Sequence, residues 1–195
     1  MHAGRPLEFD PDTALEAAMA VFWQHGFEAT SLADLLHAMD LSKSSFYNGF
    51  GSKHRLFEAC LERFRARQVA RMREGLSCAP SPLRFIRDML LTNAAEARRE
   101  GPRRGCLIMN TATEFAGRDP AVAALVDSAA RDFAALFRSA VEQAQGYGEI
   151  PHTADPAVLS RYLLTTMAGL RTMLKAGLSA DEIENVVEVA MQALR

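Results

Sequence analysis

The chain has 195 residues, 49% of them hydrophobic and 24% charged, with a formal net charge of −2 and a pI near 6.2. These totals describe a folded chain long enough to bury a core unaided, and they exclude an unstructured tail or a uniformly basic nucleic-acid coat. A local basic patch stays open, because charge acts through its distribution.

Nearly every segment reads as helix. Asp10-Pro11 is an N-cap followed by proline at the first helical position, and Leu15, Met19, Phe22 and Trp23 recur at helical spacing until Gly26 closes the helix. Ser31, with Asp34 three residues on, starts a short second helix whose apolar face is Leu32, Leu35, Leu36 and Met39. A turn at Asp40-Leu41 leads to Ser42, which caps a third helix of about two turns ending near Gly49. Ser52 caps a fourth, predicted to run to about Gly75. SCAPSP, residues 77–82, breaks the pattern. Further helices are expected from Leu83 to about Glu100, from Cys106, from Asp119-Pro120 to about Gln145, from Pro156 to Ala176 and from Ala180 to Leu194. No strand runs or internal repeats stand out. The expected class is all-α: residues 1–57 as a small helical unit and 58–195 as a larger bundle.

Cys60, Cys78 and Cys106 are widely spaced and form no CxxC pair, which fits a reducing compartment. The stretch MHAGRPLEFD has no apolar core of a signal peptide, and no apolar run approaches the roughly 20 residues that span a bilayer. A cytoplasmic protein without a membrane partner is expected. The sequence carries no HExxH, GxSxG or phosphate-cradling glycine loop, its histidines are scattered, and its cysteines lack ligand spacing. Neither an enzyme nor a metal site is expected, and no cofactor is implied.

Two short helices joined by a tight turn between Ser31 and Gly49 have the layout of a helix-turn-helix. The second helix of such a unit enters the major groove, so its outward positions must be small or hydrogen-bonding, as Lys43, Ser44 and Ser45 are. Between Asp40 and Glu58 the chain has Lys43, Lys53 and Arg55 and no carboxylate, an island suited to phosphates. Glu8, Asp10, Asp12, Glu16, Glu28 and Asp34 lie outside it and are expected to face away from DNA. A helix pair in an ordinary bundle with a solvated polar face has the same pattern.

Phe22, Gly26, Phe27, Thr30, Ser31, Leu35, Leu41, Ser42, Lys43, Phe46, Tyr47, Phe50, Lys53, Leu56 and Phe57 carry a more specific signal. At their fixed spacing, residues 9–57 resemble the DNA-binding domain of the TetR family of transcriptional repressors. RGCLIMN at 104–110 and GLRTMLKAGLS at 169–179 more loosely resemble one branch of it, with a GCL-type motif. The resemblance implies that Lys43, Ser44 and Ser45 read base edges and that Tyr47, Asn48 and Lys53 contact phosphates. It implies that Thr30 and Ser31, at the start of the preceding helix, offer hydroxyl and amide contacts. Phe22, Phe27, Leu35, Phe46 and Phe50 read as core, and Tyr47 fits a core role as well as a phosphate contact. The family's turn usually has glycine where this chain has Asp40, whose carboxylate is expected to point away from DNA.

The family further implies a homodimer, an inverted-repeat operator in double-stranded DNA, and a small-molecule effector pocket in the bundle. An effector would favour a state in which the fourth helix swings and respaces the recognition helices. Two apolar stripes could pair across a two-fold axis or face the monomer's own core: Ile183, Val186, Val187, Ala190, Met191 and Leu194, and Val122, Leu125, Val126, Ala129, Phe133, Leu136 and Phe137. Pocket candidates are Phe64, Met72, Phe85, Met89, Met109, Phe115, Met167 and Met173, with Asn110, Thr111, Thr113 and Glu114 as polar groups. Plain core packing accounts for any one of the apolar candidates equally well. Cys106 follows Pro102-Arg103-Arg104-Gly105 and starts a helix, where cations and helix dipole are expected to lower a thiol's pKa and suit it to sense electrophiles or oxidants. Its alternative is a small residue packed at a helix start. The competing reading of the whole chain is a helical ligand-binding or thiol-based sensor protein without operator binding.

Overall fold

The computed structural model describes residues 9–115 and 117–195, and Glu8 lies outside the described residues. The elements are α1 (Pro11–His25), α2 (Leu32–Met39), α3 (Lys43–Phe50), α4 (Lys53–Cys78), α5 (Pro82–Ala97), α6 (Leu107–Phe115), α7 (Pro120–Gly146), α8 (Pro156–Lys175) and α9 (Ala180–Gln192). None of these helices is long and apolar enough to cross a membrane.

Local chemistry sets most of the helix starts. Asp10, Ser31, Ser42, Ser52, Ser81, Asp119, Asp155 and Ser179 each accept a backbone N–H of the first turn. These caps satisfy donors that the helix leaves orphaned. Ser31 with Asp34, and Ser179 with Glu182, close reciprocal capping boxes.

Two ends differ from expectation. α4 continues three residues past Gly75, because that glycine serves close packing and not termination. A Cβ there would stand 3.2 Å from the Phe85 ring, so its absence lets α5 lie against α4. The true stop is Ala79, held extended before Pro80. α5 ends at Ala97, short of Glu100.

α1, α2, α3 and the start of α4 enclose a small core of Phe22, Leu35, Phe46, Leu56 and Phe57, with Phe27 and Phe50 half-buried against it. The boundary expected at 57/58 falls inside α4, which runs without a break into the bundle. Leu61, Phe64, Val69 and Met72 continue its buried face there. Arg63 bridges to Asp12 and Glu16, Arg67 to Glu16, and Arg65 to Asp132, so ion pairs fasten α4 to α1 and α7.

The apolar stripes of α7 and α9 are largely consumed within the monomer. Val122, Ala129, Phe133 and Phe137, and likewise Ile183, Val187, Ala190, Met191 and Leu194, are buried in its own core. The exposed large apolar groups of the bundle are instead Val158 and Met173 on α8, Val186 and Val189 on α9, and Tyr147.

Candidate nucleic-acid interface and effector cavity

The turn between α2 and α3 is built on Asp40, which adopts a left-handed conformation (φ 51°, ψ 48°), while the Leu41 N–H closes the end of α2 by donating to Leu36 O at 3.0 Å. A Cβ in that region costs about 1 kcal/mol relative to glycine, and aspartate tolerates it better than most residues. Asp40→Gly is therefore expected to raise the urea midpoint by an increment worth up to about 1 kcal/mol. An unchanged or lower midpoint contradicts the strain argument.

Ser42 then starts α3, accepting from the Ser45 N–H at 3.1 Å and lying 2.9–3.0 Å from the hydroxyls of Ser44 and Ser45. Phe46 is fully buried and anchors the helix from behind. Lys43, Ser44, Tyr47 and Asn48 are exposed, and their i, i+3 and i, i+4 spacing puts them on one side of α3. Tyr47 is 47% exposed, with its ring set edge-on to Phe46 at 5.3 Å, so the phenol is presented outward by an aromatic contact and is not itself core. Ser45 is half-buried and held in the cap network, which makes it more a positioning residue than a free donor. Lys53 opens α4 with its Nζ 4.3 Å from the centroid of the Phe27 ring, a cation–π contact that fixes the ammonium at a helix N-terminus.

The expectation for the start of α2 needs correction. Thr30 is 1% exposed and its hydroxyl donates to Gly26 O at 2.6 Å, so it has nothing to offer a phosphate. Ser31 is exposed, but its amide and hydroxyl both donate to the Asp34 carboxylate, at 2.9 and 2.6 Å. Those bonds hold the Asp34 carboxyl below its ordinary range and keep a negative charge beside Ser31. A capping box that completes a helix uses up the groups that would otherwise bind an anion.

Beneath this unit a cavity of about 710 Å³ opens between α4, α5, α6, α7 and α8, with Trp23 of α1 at one wall. Of the candidates named from sequence, Phe64, Met72, Met89, Met109 and Met167 line it. Phe85, Asn110, Thr113 and Met173 are not in its wall. Phe85 packs on Gly75, Asn110 donates to Arg104 O at 3.0 Å, Thr113 is exposed and bonded to Met109 O, and Met173 is 48% exposed. Phe115 lies against Phe57 and Phe27 instead, at 5.6 and 5.4 Å between ring centroids. Sequence reasoning missed Trp23, Phe133 and Phe137, whose helical spacing looks like ordinary core, and the polar residues Gln68, Arg71, Arg99, Arg104 and Arg171, which look like solvated faces.

Cys106 also lines the cavity, at the start of α6. Its thiol is pushed up from the ordinary range, opposite to expectation, because burial outweighs the Met109 and Ile108 N–H groups and Arg171. Its thiolate fraction at neutral pH is consequently smaller than that of an ordinary cysteine. Iodoacetamide at neutral pH is expected to label exposed Cys78 well ahead of Cys106, as read by peptide mass spectrometry. Faster labelling at Cys106 would contradict the burial argument.

The cavity wall touches the DNA-binding unit directly. The Glu114 carboxylate, on α6, accepts the Phe27 N–H at 3.0 Å and the Glu28 N–H at 2.7 Å. Gly26 beside them has φ +84°, and a Cβ there would stand 2.9 Å from Glu114 Oε2. The Trp23 indole donates to Gly105 O at 3.3 Å, and His54 Nε2 is 2.6 Å from the Asp119 carboxylate. The segment that walls the cavity is therefore bonded to the loop that orients α2 and α3.

Comparison with known proteins agrees with this layout. The model for bacterial regulatory proteins of the tetR family matches residues 14–60, and that for the tetracyclin repressor-like C-terminal domain matches residues 82–190. The HTH-type transcriptional repressor ComR of Escherichia coli K12 is 31% identical over 193 residues, covering 98% of this chain and 90% of ComR. The TetR family transcriptional regulator CifR, solved as a cysteine mutant with 26-bp double-strand operator DNA, superposes with a TM-score of 0.86 at 32% identity, covering 98% of this chain and all of CifR. Reduced E. coli NemR shares the fold, with a TM-score of 0.84 at 23% identity over 92% of this chain and 93% of NemR.

Proposed function

Because the chain belongs to the TetR family of transcriptional regulators, we infer that the exposed side of α3 is the surface it sets into the major groove of an operator. The protein is a homodimeric, DNA-binding transcriptional regulator and not an enzyme. One observation carries the assignment of the reading surface: on a two-turn helix, Phe46 is wholly buried while Lys43, Ser44, Tyr47 and Asn48 all stand in solvent. Lys43 and Ser44 would meet base edges, Tyr47, Asn48 and Lys53 phosphates, and Ser45 would hold the helix start. The two copies pair through α8 and α9, where the uncovered apolar groups gather, and present two recognition helices about 34–36 Å apart to an inverted repeat. The protein works as a cytoplasmic repressor.

Release follows from the cavity. A small molecule or electrophile that prefers one arrangement of α4 and α6 shifts the population toward it, and the Glu114 bonds carry that change to the α1–α2 loop. For an electrophile small and apolar enough to enter, Cys106 is the thiol it meets. The test is a gel shift with the DNA upstream of the protein's own reading frame, repeated across salt concentrations and with added effector candidates. Binding that weakens steeply with salt and a two-fold footprint are expected. No binding to any duplex at low salt overturns the operator reading. A Cys106→Ser variant that still releases DNA on electrophile treatment removes the thiol from the mechanism.

A further inference from the structure

The cavity wall is unevenly charged. Arg71, Arg99, Arg104 and Arg171 line it against only two carboxylates, Glu96 and Glu100. Glu96 is occupied by Arg171 at 2.5 Å. Among the described residues, Arg71, Arg99 and Arg104 have no carboxylate within salt-bridge distance, whereas Arg171 in the same wall does. Arg104 is half-buried, its guanidinium 5.9 Å from the centroid of the Trp23 ring. Arg71 and Arg99 are exposed and stand where the cavity meets solvent. Phe64, Met72, Phe133, Phe137 and Met167 make the rest of the lining largely apolar.

We propose that the effector of this protein is an amphipathic anion, a small carboxylate or similar oxyanion on an apolar body. Its charged end lies among Arg71, Arg99 and Arg104, and its body lies between the methionines and phenylalanines. The proposal rests on the reading of this cavity as the effector site. An oxyanion gains charge-assisted hydrogen bonds from these guanidinium groups that an uncharged ligand cannot make, and a cation would be repelled by them; a planar oxyanion matches their fork of donors. The position of the charges also supplies a switch. Arg71 is on α4, the helix that continues from the DNA-binding unit, whereas Arg99 and Arg104 lie in the α5–α6 connection. An anion held by both would draw α4 toward that segment.

The experiment uses the full chain without DNA, with octanoate, octan-1-ol and octylamine as probes of one chain length and three charges. Trp23 is the only tryptophan and lines the cavity, so intrinsic fluorescence reads occupancy there. Octanoate should bind saturably, about tenfold or more tighter than the alcohol or the amine, and its affinity should fall with salt. Arg71→Gln with Arg99→Gln, at two exposed positions, should cost octanoate about tenfold and leave octan-1-ol unchanged. Octanoate binding that is absent, no tighter than that of the alcohol or amine, or unchanged in the double variant overturns the proposal. Operator binding of the same preparations is measured separately: loss of octanoate selectivity with intact DNA binding refutes the ligand class alone. Selective octanoate binding by a protein that binds no duplex refutes the regulator reading alone.

Discussion

Replacing Lys43 and Tyr47 together by alanine is expected to lower operator affinity by about 10²–10³-fold, with thermal unfolding nearly unchanged. Each side chain is exposed, and a dimer removes each contact twice. At about 1 kcal/mol or slightly less per contact, four lost contacts give a loss of that order. If Lys43 also neutralises a phosphate, the log–log salt dependence should flatten by nearly two. Single variants separate the roles. Tyr47→Phe keeps the edge-on contact with Phe46 and removes only the hydroxyl, so a loss there identifies a hydrogen bond and not a packing defect. Phe46→Ala, by contrast, should cost about 3–5 kcal/mol of stability, since its ring is fully buried. Wild-type operator affinity in the Lys43/Tyr47 double variant, measured by fluorescence anisotropy, would remove this face of α3 from the DNA interface.

Glu114→Ala is expected to reach both stability and regulation. It deletes two hydrogen bonds from a carboxylate to backbone amides across the junction between the two parts of the chain. Bonds to a charged acceptor contribute about 1.5–3 kcal/mol each, but Glu28 is exposed and water replaces part of the loss, so a net cost of about 2 kcal/mol follows. For a chain of this length that lowers Tm by roughly 4–8 °C. Glu114→Gln keeps one good acceptor and should fall between. Gly26→Ala strikes the same contact from the other side, forcing a Cβ against Glu114 Oε2. Combined with Glu114→Ala its cost should be less than additive, because the clash has gone, while the strain of a left-handed alanine remains. The loosened junction should also blunt effector-driven release, read as the ratio of operator affinities with and without effector. Unchanged stability and an unchanged ratio in Glu114→Ala would exclude this junction as the link.

The legible parts of the molecule are those written locally. Helix starts at Asp10, Ser31, Ser42, Ser52 and Asp119 follow from a capping side chain and the next few residues, and all formed where the pattern puts them. The outward side of α3 was legible for the same reason, since one bulky anchor among small polar residues leaves no choice of which side faces the core. Even the unusual Asp40 turn could be placed, because its left-handed backbone is a property of one residue and its neighbours. The misreadings share a cause. Thr30 and Ser31 carry hydroxyls suited to phosphate, but whether a hydroxyl is free depends on what lies within 3 Å of it, and both are engaged. The thiol of Cys106 was read from charges nearby in sequence, whereas burial by several helices decides its proton affinity.

By itself, then, the sequence determined an all-α chain, a helix-turn-helix at its start and the residues of α3 that face outward. Periodicity, capping and turn chemistry act over a few residues, and they are complete in the order of the amino acids. Only the tertiary structure decided which methionines and arginines share one cavity, that most of the α7 and α9 stripes is spent inside the monomer, and that Glu114 reaches the backbone of Phe27 and Glu28 from 87 and 86 positions away. Such contacts depend on how helices cross, and a crossing is set by the fit of whole surfaces that no short stretch of sequence contains.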